Sequence, residues 1–187
     1  MVFTFENDKD LEGVILVKPF HAIDNRGDFT KYYEKGIYRE NGIIFDIFEE
    51  FVTTSKKNVI RGLHFQTTDP QAKLVTVIAG AIYDVVVDLR CNSKMFCQWK
   101  GYNLTAENKL SLYVPKGFAH GFYTLEENNI VSYKCDAPYL RQYDSGVVWN
   151  DPDLNIVWQF ETDSPIVSDK DSNLMTVNEF KHKFCGF

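Results

Sequence analysis

The chain has 187 residues, a length that suits one domain with a full hydrophobic core and would cramp two. Its formal charge of −6 at pH 7 disfavours nucleic acid or an anionic membrane as partner, so an anionic ligand must be held by individually placed cations. Aromatic residues make up 15%, with 15 Phe and 10 Tyr, a bias toward strands and toward a barrel interior filled by large side chains.

Short segments rich in Val, Ile, Tyr and Phe follow one another along the whole chain, with turn residues between them. The first predicted strand is 14–17; the turn Asp24-Asn25-Arg26-Gly27 precedes a second at 29–33. Further strands are predicted at 43–53, 59–66 and 73–79, and Ala79-Gly80-Ala81 reads as a tight hairpin turn into 82–89. In that strand Asp84, Val86 and Asp88 share one face, and a carboxylate lining a barrel is costly unpaired, so Asp84 calls for a basic partner. The series continues with 97–104, 110–114, 121–125, 130–135, 146–149 and 156–158. Many short strands with even turn signals predict an all-β sandwich or barrel. Asp163-Ser164-Pro165 opens a polar C-terminal arm that ends in a short helix over 177–184, with Asn178 as its candidate cap. There are neither repeats nor low-complexity linkers, so residues 1–187 read as one domain. The four cysteines lack CxxC spacing and the start lacks a basic region followed by an apolar core, which predicts a reduced, cytoplasmic protein. No apolar run approaches the ~20 residues that span a bilayer.

The candidate chemistry gathers around Arg61-Gly62-Leu63-His64-Phe65-Gln66. His64 stands between apolar residues that face the other side of a strand, and a lone histidine in that setting is most often a core residue held by a hydrogen bond. Here it is preceded by Arg61 and followed by Lys73 in Gln71-Ala72-Lys73-Leu74-Val75. It is echoed by His120 in Pro115-Lys116-Gly117-Phe118-Ala119-His120-Gly121-Phe122, so cationic groups converge from three strand-like segments.

In wording and spacing these blocks closely resemble the dTDP-4-dehydrorhamnose 3,5-epimerase family, from about Pro19 to Asp171. The resemblance implies a jelly-roll, cupin-type β-barrel with a short C-terminal arm, cofactor-free epimerisation at carbons 3 and 5 (or 3 alone) of a nucleotide-diphospho-4-keto sugar for surface polysaccharide synthesis, and a homodimer that exchanges N-terminal strands. It assigns His64 as the base and Asp171, in Ser168-Asp169-Lys170-Asp171, as its carboxylate partner, with Asp169 two residues away as the rival. An aspartate there offsets the opposition of Arg61 and Lys73 to an imidazolium. Lys73 matches the donor that holds the enolate oxygen. Tyr133, in Ser132-Tyr133-Lys134-Cys135, matches the acid on the opposite face, and only the motif separates it from Tyr123 and Tyr139. Its phenol stays protonated at pH 7 because its ordinary pKa is about 10. Arg26 and Arg61 match the diphosphate clamp, a task suited to the guanidinium fork. Gln66 and His120 are placed near the substrate by the same likeness.

The nucleotide pocket departs from the family pattern. Phe48-Glu49-Glu50-Phe51 puts Glu49 where glutamine is expected and Phe51 where asparagine is, while Lys31 stands for a glutamate. A carboxylate can accept two parallel hydrogen bonds from the donor edge of guanine, so Glu49 and Lys31 suggest a GDP sugar, with a keto-heptose among the possible substrates. Three rival functions remain: a metal-dependent cupin, a sugar-nucleotide ketoisomerase and a non-catalytic sugar-nucleotide binder. The first is disfavoured because the first block gives His64-x-Gln66 in place of His-x-His and no glutamate at the needed distance.

Overall fold

The computed structural model describes residues 2–162 and 164–187; Asp163, the first residue of the predicted arm, lies outside them. Two antiparallel sheets face each other. The larger runs β1 (Thr4–Asn7), β2 (Ile15–Lys18), β10 (Ser111–Val114), β7 (Lys73–Ala79), β12 (Asn129–Cys135) and β5 (Glu49–Ser55). The smaller runs β13 (Asp144–Gly146), β6 (Ile60–Gln66), β11 (Phe118–Thr124), β8 (Ala81–Asp88) and β9 (Trp99–Thr105). A separate hairpin, β3 (Phe20–Asp24) and β4 (Gly27–Lys31), turns at Asn25 and Arg26. This is the all-β jelly-roll barrel of cupin type that the sequence led us to expect.

Three apolar layers hold it. Val75, Val77 and Val131 of one sheet meet Val86, Leu104 and Phe122 of the other inside the barrel. The outer face of the smaller sheet, with Leu63, Phe65, Val85 and Val87, is covered by Trp158, Val177 and Phe180 of the C-terminal arm. On the outer face of the larger sheet Ile15, Val17 and Leu74 pack under Tyr38, Ile43 and Phe45. Burying a side chain such as Phe180 contributes about 1.5–3 kcal/mol. Because the arm covers the outer face, β8 is buried on both sides except at Ala81, with Asp84, Val86 and Asp88 turned inward as its alternation predicts.

Several sequence expectations are corrected. The predicted strand 43–53 begins only at Glu49: Ile43 and Phe45 are buried and Ile44 and Asp46 exposed, an alternation made by extended chain without a ladder. Before it lies a short helix, α1 (Lys35–Glu40), which the sequence pattern did not signal. Gly80 is a corner rather than a hairpin, because β7 and β8 belong to different sheets. The strand predicted at 146–149 is β13, displaced to 144–146, and 156–158 forms no strand but seats Trp158 against Tyr83. Strands β1 and β3 were not anticipated. After a four-residue helix, α2 (Asp169–Ser172), the terminal helix α3 (Val177–Phe184) is where the pattern places it. Its cap is Thr176 rather than Asn178, in a reciprocal capping box with Glu179.

Candidate active site

Strand β6 cannot present both Arg61 and His64 to one side by simple alternation, since residues three apart face opposite ways. The structure solves this with a register shift: His120 pairs with His64, but Phe122 pairs with Arg61. The extra residue is a bulge that re-aims one side chain. Gly62 makes it possible, with φ +127° and no room for a side chain. A Cβ there would stand 2.5 Å from Gly121 Cα and 2.9 Å from the His120 carbonyl oxygen. Arg61 and His64 therefore both line a cavity of about 330 Å³ between the sheets, within the range of roughly 300–1,000 Å³ typical of small-molecule sites.

The opposite wall comes from the larger sheet. Tyr133 on β12 sits between Phe51 on β5 and Val75 on β7, and Cys135 sits between Glu49 and Lys73. Thus Lys73 and Tyr133 face His64 across the cavity. Among the described residues Lys73 and Arg61 have no carboxylate partner. Burial pushes the Lys73 ammonium below its ordinary range, with Cys135, Asp144 and Asp84 pulling the other way. Arg61 donates through Nε to Ser55 Oγ at 3.0 Å and through Nη2 to the Thr54 carbonyl at 3.3 Å, which fixes the guanidinium and leaves Nη1 for a ligand. Burial, reinforced by Asp84, pushes the Tyr133 phenol well above its ordinary value, with Arg61 opposing. It is protonated at neutral pH.

Helix α2 carries Asp171 beneath β6. Ser168 caps it by accepting from the Asp171 amide at 3.1 Å. One Asp171 oxygen lies 2.8 Å from His64 Nε2, and the other accepts the Gly62 amide at 3.0 Å. Burial alone would raise the Asp171 pKa, but the His64 hydrogen bond and charge, the Gly62 amide and Lys170 hold it below the ordinary carboxylate value. With Nε2–H given to Asp171, Nδ1 is the His64 nitrogen left to accept a proton. Asp169, the alternative, makes no such contact. A second pair stands deeper: His120 Nε2 is 2.8 and 3.0 Å from the two oxygens of Asp84, so His120 is the basic partner that Asp84 required.

The remaining sequence candidates sit differently. Gln66 reaches the wall, yet its amide donates to the carbonyls of Asp69 and Pro138 and accepts the Leu140 amide, so it braces the loop that bears Tyr139. Glu49 accepts from Gln71 Nε2 at 2.8 Å and from the Tyr139 amide at 3.2 Å. Arg26 is at the hairpin tip, highly exposed and paired with Asp24, and Lys31 pairs with Glu34. Neither lines this chain's cavity. Asp144 joins the wall without having been singled out in the sequence, binding both Lys170 Nζ and Tyr139 Oη. Its only sequence signal is its place two residues before the strand predicted at 146–149; in the structure it opens β13 and pairs with Gln66 of β6. No three His, Cys, Asp or Glu side chains among the described residues gather as a metal site.

A barrel that sets a histidine on one sheet, backed by an aspartate from a short helix, against a half-buried lysine and a buried tyrosine on the other has the form of a cupin-type isomerase. The sequence profile of dTDP-4-dehydrorhamnose 3,5-epimerase matches residues 8–179, and the chain belongs to that family. It is 44% identical over 170 residues to the dTDP-4-dehydrorhamnose 3,5-epimerase of Methanothermobacter thermautotrophicus, covering 90% of this chain and 92% of the relative. The Bacillus anthracis enzyme of that name, solved with TDP and PPi bound, superposes with a TM-score of 0.89 at 44% identity, over 94% of this chain and 99% of that one. The dTDP-6-deoxy-D-glucose-3,5-epimerase of Legionella pneumophila, solved with dTDP-4-keto-L-rhamnose, gives 0.93 at 34% identity, over 98% and 97%.

Proposed function

We propose that this chain inverts carbons 3 and 5 of a dTDP-linked 4-keto-6-deoxy sugar through an enolate, with no cofactor. The observation that carries the reading is the opposition of His64 on one sheet to Tyr133 and Lys73 on the other. Inversion needs a base and an acid on opposite faces of the sugar ring, or the proton returns to where it came from. His64 takes the proton next to the ketone, the C–H electron pair moves into the enolate, and the Lys73 ammonium holds the resulting oxyanion. Tyr133 then gives its proton to the carbon from the other face. Each inversion leaves His64 with one proton more and Tyr133 with one fewer, and exchange with water resets both. Arg61 Nη1 serves the diphosphate. A ketoisomerase or a passive binder has no need of this opposition.

Two finer points belong to the same proposal. The exposed hairpin, with Ile23, Phe29 and Arg26, fits exchange between two copies of the chain, so that Arg26 completes the partner's site. For the nucleotide, relatives solved with TDP or a dTDP sugar favour thymidine, and both Glu49 oxygens are already occupied by Gln71 and Tyr139. The guanosine alternative is tested by measuring GDP and dTDP binding side by side; a clear preference for GDP that Glu49→Gln abolishes would reverse the choice.

The main test is incubation with dTDP-4-keto-6-deoxyglucose in deuterated water. Wild type is expected to place deuterium at both carbons with inversion. A folded His64→Ala protein is expected to lose exchange at both by about 100-fold or more. Near-normal exchange at either carbon in that variant would remove His64 as the base.

A further inference from the structure

The phenol of Tyr133 is held in an unusual way for a group asked to deliver a proton to one side of one atom. Its hydroxyl makes no hydrogen bond with the described residues, so its direction depends on what packs against the ring. His120 meets the ring edge-on at 5.9 Å between centroids, and Phe122 lies tilted at 6.4 Å. Among the described residues the one flat contact is Phe51, its cross-strand partner on β5, stacked at 4.8 Å with the planes 12° apart. Phe51 is 42% exposed on the sheet-edge strand and lines the cavity, so it adds little to the core. It also stands where the family pattern has an asparagine.

We propose that Phe51 is a positioning residue for the acid: its ring forms the wall that keeps the Tyr133 phenol aimed across the cavity at the face opposite His64. The inference rests on the proposed role of Tyr133. A stacked aromatic pair restrains ring tilt at small cost, because the β5–β12 ladder already sets the two backbones side by side. Without Phe51 the Tyr133 ring can swing toward solvent, and protonation from the opposite face becomes less frequent while proton removal by His64 continues.

The test separates those two half-steps. Phe51→Ala is expected to wash deuterium into carbons 3 and 5 within about twofold of wild type with KM nearly unchanged, and to invert configuration roughly 3- to 10-fold more slowly, the size of a lost aromatic stack. Phe51→Tyr restores the flat wall and is expected to recover inversion. Phe51→Leu keeps an apolar side chain without a plane and is expected to stay slow. Wild-type inversion in Phe51→Ala overturns the proposal, and so does a raised KM with inversion and exchange slowed alike, which would make Phe51 a nucleotide contact. If Phe51→Ala fails to fold, Phe51→Leu decides by the same criteria. A readout free of turnover distinguishes failure here from failure of the epimerase reading: ring carbons of labelled Tyr133 are expected to show one environment in wild type and averaged or multiple environments in Phe51→Ala or Phe51→Leu. An unchanged single environment in both overturns the proposal whatever the substrate proves to be.

Discussion

Lys73 brings an ammonium group into the barrel with no carboxylate to meet it among the described residues, and burial lowers its pKa. A charge drawn out of water without a partner is destabilising, so this half-buried residue opposes folding, the cost of the oxyanion-holding role proposed for it. Lys73→Met is therefore expected to melt at a higher temperature than wild type, by an amount on the order of 1–3 kcal/mol, while turnover falls about 100-fold or more. The pH dependence has a definite sign. With the folded pKa below the ordinary lysine value of about 10.4, the unfolded chain binds more protons in the window between the two. Wild-type stability thus gains with pH across that window, and the gap to Lys73→Met closes. Thermal melts of both proteins from neutral to alkaline pH check this. A gap that widened with pH, or a less stable Lys73→Met, would mean that the ammonium has an anionic partner.

Among the elements, the bulge in β6 decides whether there is a site. It depends on Gly62 and Gly121, whose backbones pack so closely that a Cβ on Gly121 would stand 2.6 Å from the Arg61 carbonyl oxygen. Gly62→Ala adds a methyl against backbone at a φ that L-residues rarely adopt, so β6 and β11 must part. A loss of about 2–4 kcal/mol is expected, together with loss of activity in whatever folds, because Arg61 and His64 no longer share a side. Denaturant unfolding and turnover measure the two effects; a stable, active Gly62→Ala protein would show that the bulge survives the methyl. The Arg-Gly-Leu-His wording was plain in the sequence, but its reason was not. A pattern of period two has no way of signalling that one residue in the strand is extra. The region 43–48 misleads for the converse reason, since alternate burial without a ladder leaves the same trace as a strand.

For the whole molecule, the proposed exchange of hairpins makes a prediction that no single-chain mechanism shares. Arg26→Ala and His64→Ala are each expected to be poorly active, the first through weaker diphosphate binding and the second through the missing base. Mixed, dissociated and reassociated, they form hetero-pairs in which one site keeps its own His64 and receives Arg26 from the other chain. About one quarter of wild-type turnover is then expected to return, since half the pairs are mixed and each has one intact site of two. No gain on mixing, with hetero-pair formation verified, would place Arg26 outside the partner's site.

The sequence by itself determined the chemical types and their strands. His64, Lys73, His120 and Tyr133 stand on strands close to those predicted, because alternation is a local property written in consecutive residues. It also required a partner for Asp84, since the cost of burying a charge does not depend on where the partner lies in the chain. Only the tertiary structure decided which polar groups were free to act. Asp171 meets His64 from 107 positions away, and Gln66 and Glu49 are committed to loop backbone and to Gln71, whereas Arg61 and Lys73 have no carboxylate partner among the described residues. Those outcomes depend on which distant groups come within about 3 Å of one another, and a hydrogen bond of that kind leaves no periodic trace in the residues that make it.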